Sequence, residues 1–389
     1  MQNQVHLNLA NVPEELKVIL EIIKKNTVNR DLFMGIDWDH FIEQSMHHRV
    51  YPVLHSILIH LDKGIIPTKV MNHLSVQYKR NTFNMLYLSS EMERISKLYT
   101  EDNIRLLFLK GPVIAHDLYG DVSLRTSSDL DFLVSIEDLE KAEAILIKQG
   151  YEKVDYIETV LNDWRWRHHH VTYFHPLKRM KAEIHWRLNP GPGVEPKFDQ
   201  LWNRKLKSEL TNYPVYFLGK EDLFLFLVSH GARHGWSRLR WLLDIHQLTE
   251  QQVNWKKVNE LLKIYQFHKA GAQALALTSE LLGSNISAEM MPILANKHSQ
   301  KLAQEAIFYF EKMVNLHTDP VPEEVFRYHS RHLFSLMSFK QKIWYTLSIL
   351  HPLPEDADAL PLPKKLHFLY FPLRPFIWAW RRVRKHALP

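Results

Sequence analysis

The chain has 389 residues, 46% hydrophobic and 24% charged, so it can bury a core of its own and fits neither the fibrous nor the disordered class. With no cysteine, disulfides, thiolate nucleophiles and Cys-ligated zinc are excluded within the chain. A formal net charge of +6 favours anionic ligands such as nucleotides, and is compatible with nucleic acid or an acidic membrane surface.

The first residues, MQNQVHLNLANVPEELK, lack a basic patch followed by an apolar core, so no secretory signal is expected. Leu16, Ile19, Leu20 and Ile23 recur at helical spacing and predict a helix over Pro13–Lys25. Further helices are expected over Trp38–His60 and Val70–Tyr99, the latter with Tyr87, Met92, Ile95 and Leu98 on one buried stripe. After Asp102 the pattern changes. Ile104–Leu109 reads IRLLFL, a buried strand closed by Lys110-Gly111-Pro112, and Val113–Leu118 suits a short helix. Asp129–Val134, DLDFLV, is a second strand, followed by a helix from Asp138 to Leu146 that ends near Gly150. Val171–Phe174 and Lys181–Leu188 are two more strands joined by a turn at Lys178–Met180.

Asn189–Pro196, NPGPGVEP, is a loop and a candidate boundary. Helices are expected again over Glu221–His230, Leu239–Leu248, Val258–Tyr265, Ala270–Leu282, Lys301–Met313 and Phe326–Ile349, and the Pro-rich His351–Pro363 is expected to end regular structure. No apolar run reaches the roughly 18 residues that span a membrane, and a cytoplasmic location is expected. The fold class that follows is α+β: a small mixed sheet with flanking helices, embedded between N-terminal and C-terminal helical regions. The expected divisions are 1–100, 101–195, 196–350 and a Pro-rich, basic and aromatic segment at 351–389.

The strongest chemical signal is Asp129-Leu130-Asp131 followed by Glu183. Alternate residues of a strand share a face, so Asp129 and Asp131 point together while Leu130 points into packing. A third acid from a nearby strand would complete an oxygen-rich site for a hard divalent cation, Mg²⁺ above all. The same acids would otherwise serve as surface partners of the many arginines. Around the pair, Lys110 and Arg125 are candidates to neutralise phosphate, Gly111 lets backbone approach a ligand, and Ser127 and Ser128 are either phosphate donors or turn residues. Neither a Walker A loop nor a dinucleotide-binding G-x-G-x-x-G is present.

Leu109–Val134, LKGPVIAHDLYGDVSLRTSSDLDFLV, then AEIHW at 182–186 and HGARHGWSRLRWLLDI at 230–245, together resemble a bacterial family of nucleotidyltransferase-like proteins. A weaker likeness extends to Pro363 and Leu373-Arg374-Pro375. The resemblance implies the small nucleotidyltransferase sheet, related to the catalytic core of DNA polymerase beta and of aminoglycoside nucleotidyltransferases. It maps the catalytic, metal-binding acids onto Asp129, Asp131 and Glu183, with one or two Mg²⁺ ions and Mn²⁺ as substitute. Two departures stand out. Glu replaces the commoner Asp at the third position, and Lys110-Gly111-Pro112 stands where a Gly-Ser pair is usual.

The implied reaction is metal-dependent transfer of a nucleoside monophosphate from an NTP, ATP first, to a small-molecule or peptide acceptor. Family members found beside peptide natural-product biosynthesis genes give that acceptor class its place. The alternatives are a catalytically inactive nucleotide- or peptide-binding protein, and an RNA-binding or RNA-modifying nucleotidyltransferase.

His185 shares the expected face of Glu183 and either orients a metal ligand, touches phosphate or is a core-edge histidine. His230 and His234, four apart, form either a zinc pair or, with Trp236, a capping, base-stacking or packed helix junction. Arg238, Arg240 and Asp244 serve either substrate binding or an ion-paired helix face. His168-His169-His170 either lines a substrate entrance or forms a half-exposed edge. The tail FLYFPLRPFIWAWRRVRKHALP, with Arg374, Arg381, Arg382, Arg384 and Lys385, either contacts an anionic membrane peripherally or packs its aromatics on the helical module.

Overall fold

The computed structural model describes residues 6–26, 30–60 and 64–386, with side chains as far as Arg381. Met1–Val5 and the side chains of Arg382, Arg384 and Lys385 lie outside the described residues.

The chain starts with four helices, α1 (Glu14–Lys25), α2 (Trp38–His47), α3 (Tyr51–Leu58) and α4 (Thr68–Glu101). The helix expected over Trp38–His60 is two, because Arg49 takes a left-handed φ of +56° and turns the chain. On α4, Met85, Leu88, Met92, Ile95 and Tyr99 are buried at alternating three- and four-residue steps. Tyr87 falls off that stripe and is 46% exposed, which corrects the expected register.

The sheet has seven strands: β1 (Leu106–Phe108), β2 (Asp129–Val134), β3 (Glu152–Lys153), β4 (His170–His175), β5 (Met180–His185), β6 (Leu206–Lys207) and β7 (Tyr216–Phe217), in spatial order β3-β4-β5-β2-β1-β7-β6. β2 runs parallel to β5 and β1 parallel to β7, while the other pairings are antiparallel, so the sheet is mixed. β7 pairs with β1 although it lies beyond Pro196, so the sheet continues past the expected boundary at 195. Between strands lie α5 (Pro112–Tyr119), α6 (Leu139–Lys148), α7 (Trp164–Arg167) and α8 (Phe198–Asn203). One sheet face packs on α4 and α6, with Tyr99 edge-on to Phe132 at 5.4 Å.

The remaining helices are α9 (Lys220–Arg233), α10 (Leu239–Thr249), α11 (Trp255–Ile264), α12 (His268–Leu282), α13 (Met291–Leu294), α14 (Lys297–Glu311), α15 (Glu323–Leu336), α16 (Phe339–Ile349), α17 (Pro354–Ala359) and α18 (Tyr370–His386). The helix expected over Phe326–Ile349 breaks at Met337-Ser338, where the Ser338 hydroxyl accepts from the Gln341 N–H and starts α16. Regular structure does not end in the Pro-rich segment, since α17 lies within it and α18 follows it. One continuous buried cluster runs from Val12 to Leu336, so both helical regions and the sheet share a core.

The tail forms a separate small cluster in which Tyr370 and Ile377 meet Val160. Phe371 and Phe376 of the tail are 46% and 74% exposed. Among the described residues no helix is long and apolar enough to cross a membrane.

Candidate active site

The parallel pairing of β2 with β5 sets Asp131 directly opposite Glu183, and the antiparallel pairing of β4 with β5 sets His170 opposite His185. Residues opposite one another in a ladder point to the same face. Asp129, Asp131, Glu183, His185 and His170 therefore share the sheet face away from α4. The approach to β2 is fixed from α4: Asn81 donates to the Ser123 and Arg125 carbonyls, and Asn84 to that of Ser127. Gly111 closes β1 at φ +82°, a backbone state that suits glycine, with Asp129 O and Ser127 Oγ just beyond where a Cβ would stand.

Asp131 is fully buried and is the node of the cluster. Its Oδ1 accepts from Lys110 Nζ at 2.9 Å and lies 3.2 Å from His185 Nε2, while Oδ2 is buried without a hydrogen-bond partner. His185 Nε2 is also 3.4 Å from Glu183 Oε2, and His170 Nε2 approaches that oxygen at 3.9 Å. Burial would raise the Glu183 carboxyl, yet the hydrogen bond and charge of His185, with Lys110 and His170, hold it at about 2. Burial works against the charged forms of Lys110 and His185 too, but the neighbouring carboxylates keep both above their ordinary values.

Facing this sheet surface across a cleft of about 640 Å³ are α9, α10 and the turn between them. The volume lies in the range of small-molecule sites and can accommodate a nucleotide. Arg233, Arg238 and Arg240 line it with Arg49, Lys110, Ser127, Ser128 and Asp129. Arg238 donates to the His47 carbonyl and Asn315 Oδ1, and Arg240 to the Thr126 carbonyl. Among the described residues none of these three arginines has a carboxylate at ion-pair distance. Burial lowers all three, Arg233 and Arg238 to about 10 and Arg240 to about 9. Such a set of partly desolvated cations is costly unless an anion joins it.

Arg125 is different. Its Nε and Nη2 grip the two Asp244 oxygens, each at 2.9 Å, and Tyr119 donates to the same carboxylate at 2.8 Å. The guanidinium expected to meet phosphate is thus committed to a clamp that ties the approach to β2 onto α10. Trp236 is fully buried, which among the roles open to it fits the packed helix junction. Its ring packs where a Cβ on Gly231 would stand, and its Nε1 donates to Gln273 at 2.8 Å. His230 and His234 do line the cleft, with ring centres 4.7 Å apart and His234 stacked on Trp241 at 5.0 Å.

Burial, first, and neighbouring positive charge hold His230 and His234 well below 6.5, and they act alike on His48 and on His47, which falls to about 4. Groups depressed in the folded state stabilise it fully above their unfolded pKa, and that stability is lost as pH falls through the folded values. Each steepens the loss by up to about 1.4 kcal/mol per pH unit. His185 works in the opposite sense: its contribution is present below 6.5 and is lost as pH rises through its raised value. Burial depresses other histidines too, His169, His170 and His332 among them, so the depressed groups outnumber it and the urea midpoint is expected to be lower at pH 5 than at pH 7.5. Equal midpoints would contradict these assignments.

The donor atoms of Asp131, Glu183 and His185 lie within 4.8 Å of one another, as do those of His169, His170 and His185. The unpartnered Asp131 Oδ2 and the mixed oxygen–nitrogen set fit a divalent cation, and the imidazole makes Mn²⁺ as suitable as Mg²⁺. Asp129 stands on the cleft wall but outside that closest group. Sequence reading did not single out Arg233, Arg49 or His317 at the cleft. Their one local signal is that Arg233 follows His230 by three residues on the same helix, one helical turn on.

A search of curated proteins finds no match. Among solved structures the chain is similar to the crystal structure of an antigenic nucleotidyltransferase-like protein from Paracoccidioides brasiliensis, at 13% identity and a TM-score of 0.33, over 54% of this chain and 97% of that one. The profile of a family described as "Uncharacterised nucleotidyltransferase" matches residues 34–283, a stretch that holds the whole sheet, the clustered acids and the cationic wall of α9 and α10. The chain belongs to that nucleotidyltransferase family.

Proposed function

We propose that the protein transfers a nucleoside monophosphate from an NTP, ATP first, to a small-molecule or peptide acceptor. The observation that carries this reading is the opposition, across one cleft, of an acid cluster on the sheet and largely buried arginines that have no carboxylate partner among the described residues. Asp131 and Glu183, with His185 as nitrogen donor, would hold a divalent cation, and Asp129 would serve it or a second ion from the wall. When bound, the ion supplies charge neutralisation at the phosphates and polarisation of the α-phosphate.

The chain's own groups do the rest. Lys110, Arg238 and Arg240 bind the triphosphate, with Ser127 and Ser128 as hydroxyl donors and Gly111 keeping the β1 turn open to it. Arg125 positions this segment through Asp244. An acceptor oxygen attacks the α-phosphorus, the bond to the bridging oxygen breaks, and pyrophosphate leaves against the cationic wall. His230 and His234, held neutral, contribute stacking surface rather than charge.

A panel of NTPs with Mg²⁺ or Mn²⁺ tests the reading. Nucleotide binding is expected in the wild type and is expected to weaken at least about tenfold in the Asp129→Ala/Asp131→Ala protein. Metal and nucleotide binding unchanged in that protein would overturn the assignment.

A further inference from the structure

A transferase needs a place for its acceptor, and a second cavity lies on the far side of Arg233. It encloses about 410 Å³ between the Asn189–Glu195 loop, the ends of α9, α12 and α15, and α16. Trp166, Phe267, Ala270, Leu336 and Tyr345 give it largely apolar walls. Pro190 and Arg233 line both this cavity and the nucleotide cleft.

The charged groups around the cavity are nearly all committed. Arg187 pins the loop: it pairs with Glu195 at 2.9 Å and donates to the carbonyls of Trp166 at 2.8 Å, Gly191 at 2.9 Å and Gly193 at 3.0 Å. Arg167 is paired with Asp163. Arg233 differs. Its Nη1 is buried without a hydrogen-bond partner, its other terminal nitrogen is 3.3 Å from His230 Nδ1, and among the described residues no carboxylate lies at ion-pair distance from it. An apolar chamber with one unpaired guanidinium, on the wall it shares with the phosphate-binding cleft, selects an apolar molecule with one negative head.

We propose that this cavity is the acceptor site and that the acceptor is a small carboxylic acid with an apolar body, its carboxylate held by Arg233. One guanidinium matches one negative charge, and a phosphate dianion would call for a second uncommitted cation. This inference rests on the nucleotidyl-transfer reading. In the step it implies, a carboxylate oxygen bonds to the α-phosphorus and the bond from that phosphorus to the bridging oxygen breaks. Pyrophosphate leaves with the electron pair and that oxygen. The product is a mixed carboxylic–phosphoric anhydride, and no proton moves because the acid is already ionised.

The test uses the full chain and three probes, octanoate, 1-octanol and octyl phosphate, titrated calorimetrically without nucleotide, alongside a separate titration with Mg²⁺ and ATP. Octanoate is expected to bind at least tenfold tighter than octanol to the wild type, and Arg233→Gln to bring the two within about twofold. Ser348→Trp, at a residue that lines this cavity and not the cleft, is expected to abolish octanoate binding and leave ATP binding as it was. Equal binding of octanoate and octanol, or tighter binding of octyl phosphate, overturns the carboxylate assignment. ATP binding without octanoate binding overturns the acceptor site and leaves the nucleotide reading standing. Octanoate binding without ATP binding supports a carboxylate site but overturns its acceptor role, because the nucleotide reading has then failed.

Discussion

Replacing Asp131 by Asn is expected to lower nucleotide turnover, followed as pyrophosphate release, by at least about 100-fold. The side chain keeps its size but loses the charge that Lys110 Nζ and His185 Nε2 both contact. It also loses the carboxylate whose second oxygen is buried and unpartnered, the natural place for a cation. Because Asp131 stands in register with Glu183, no other carboxylate takes its position on β2: Asp129 is two residues away, opposite Lys181. Mn²⁺ affinity should fall at least about tenfold in the same variant. Metal-free ATP should bind no more weakly, since a negative charge has left the phosphate side of the cleft. Turnover within a few-fold of wild type would mean that the reaction does not pass through this cluster.

The second large effect is on stability. Asp244→Ala is expected to destabilise the fold by about 3–5 kcal/mol, the usual cost of leaving a buried partner charge uncompensated. Arg125 is 1% exposed at its side chain, Asp244 is fully buried, and the pair is bidentate. Tyr119 would lose its acceptor as well. A cavity-conserving change of both partners, Arg125→Met with Asp244→Leu, is expected to recover part of that loss, because it removes both charges together. Urea denaturation of the three proteins checks this. A loss under about 1 kcal/mol in Asp244→Ala would show that the clamp does not hold the approach to β2.

What was legible in the sequence was local. The alternation in DLDFLV marked β2 and put Asp129 and Asp131 on one face, and the break at Lys110-Gly111-Pro112 marked the end of β1. The pairing that brings Glu183 beside Asp131 depends on a parallel register between strands about fifty residues apart, which no local spacing encodes. Arg125 looked like a phosphate ligand because its neighbours in sequence are serines and acids, while the partner that holds it lies 119 residues on. For Trp236 the sequence left base stacking and a packed helix junction both open, and only the fold shows that the glycine at 231 leaves the space its ring fills. The cationic wall arises only when α9 and α10 pack across the sheet, so Arg233 and Arg240 gain their meaning from tertiary structure.

In the proposed reaction a divalent cation joins Asp131 and Glu183 to the phosphates of a nucleotide held by the arginines of the cleft. Anomalous diffraction from crystals soaked with Mn²⁺ and a non-hydrolysable ATP analogue tests it most directly. A Mn²⁺ peak is expected within about 2.5 Å of carboxylate oxygens of both residues, with the triphosphate directed toward Lys110 and Arg240. A bound nucleotide whose metal lies elsewhere, with both carboxylates still turned to Lys110 and His185, would contradict it.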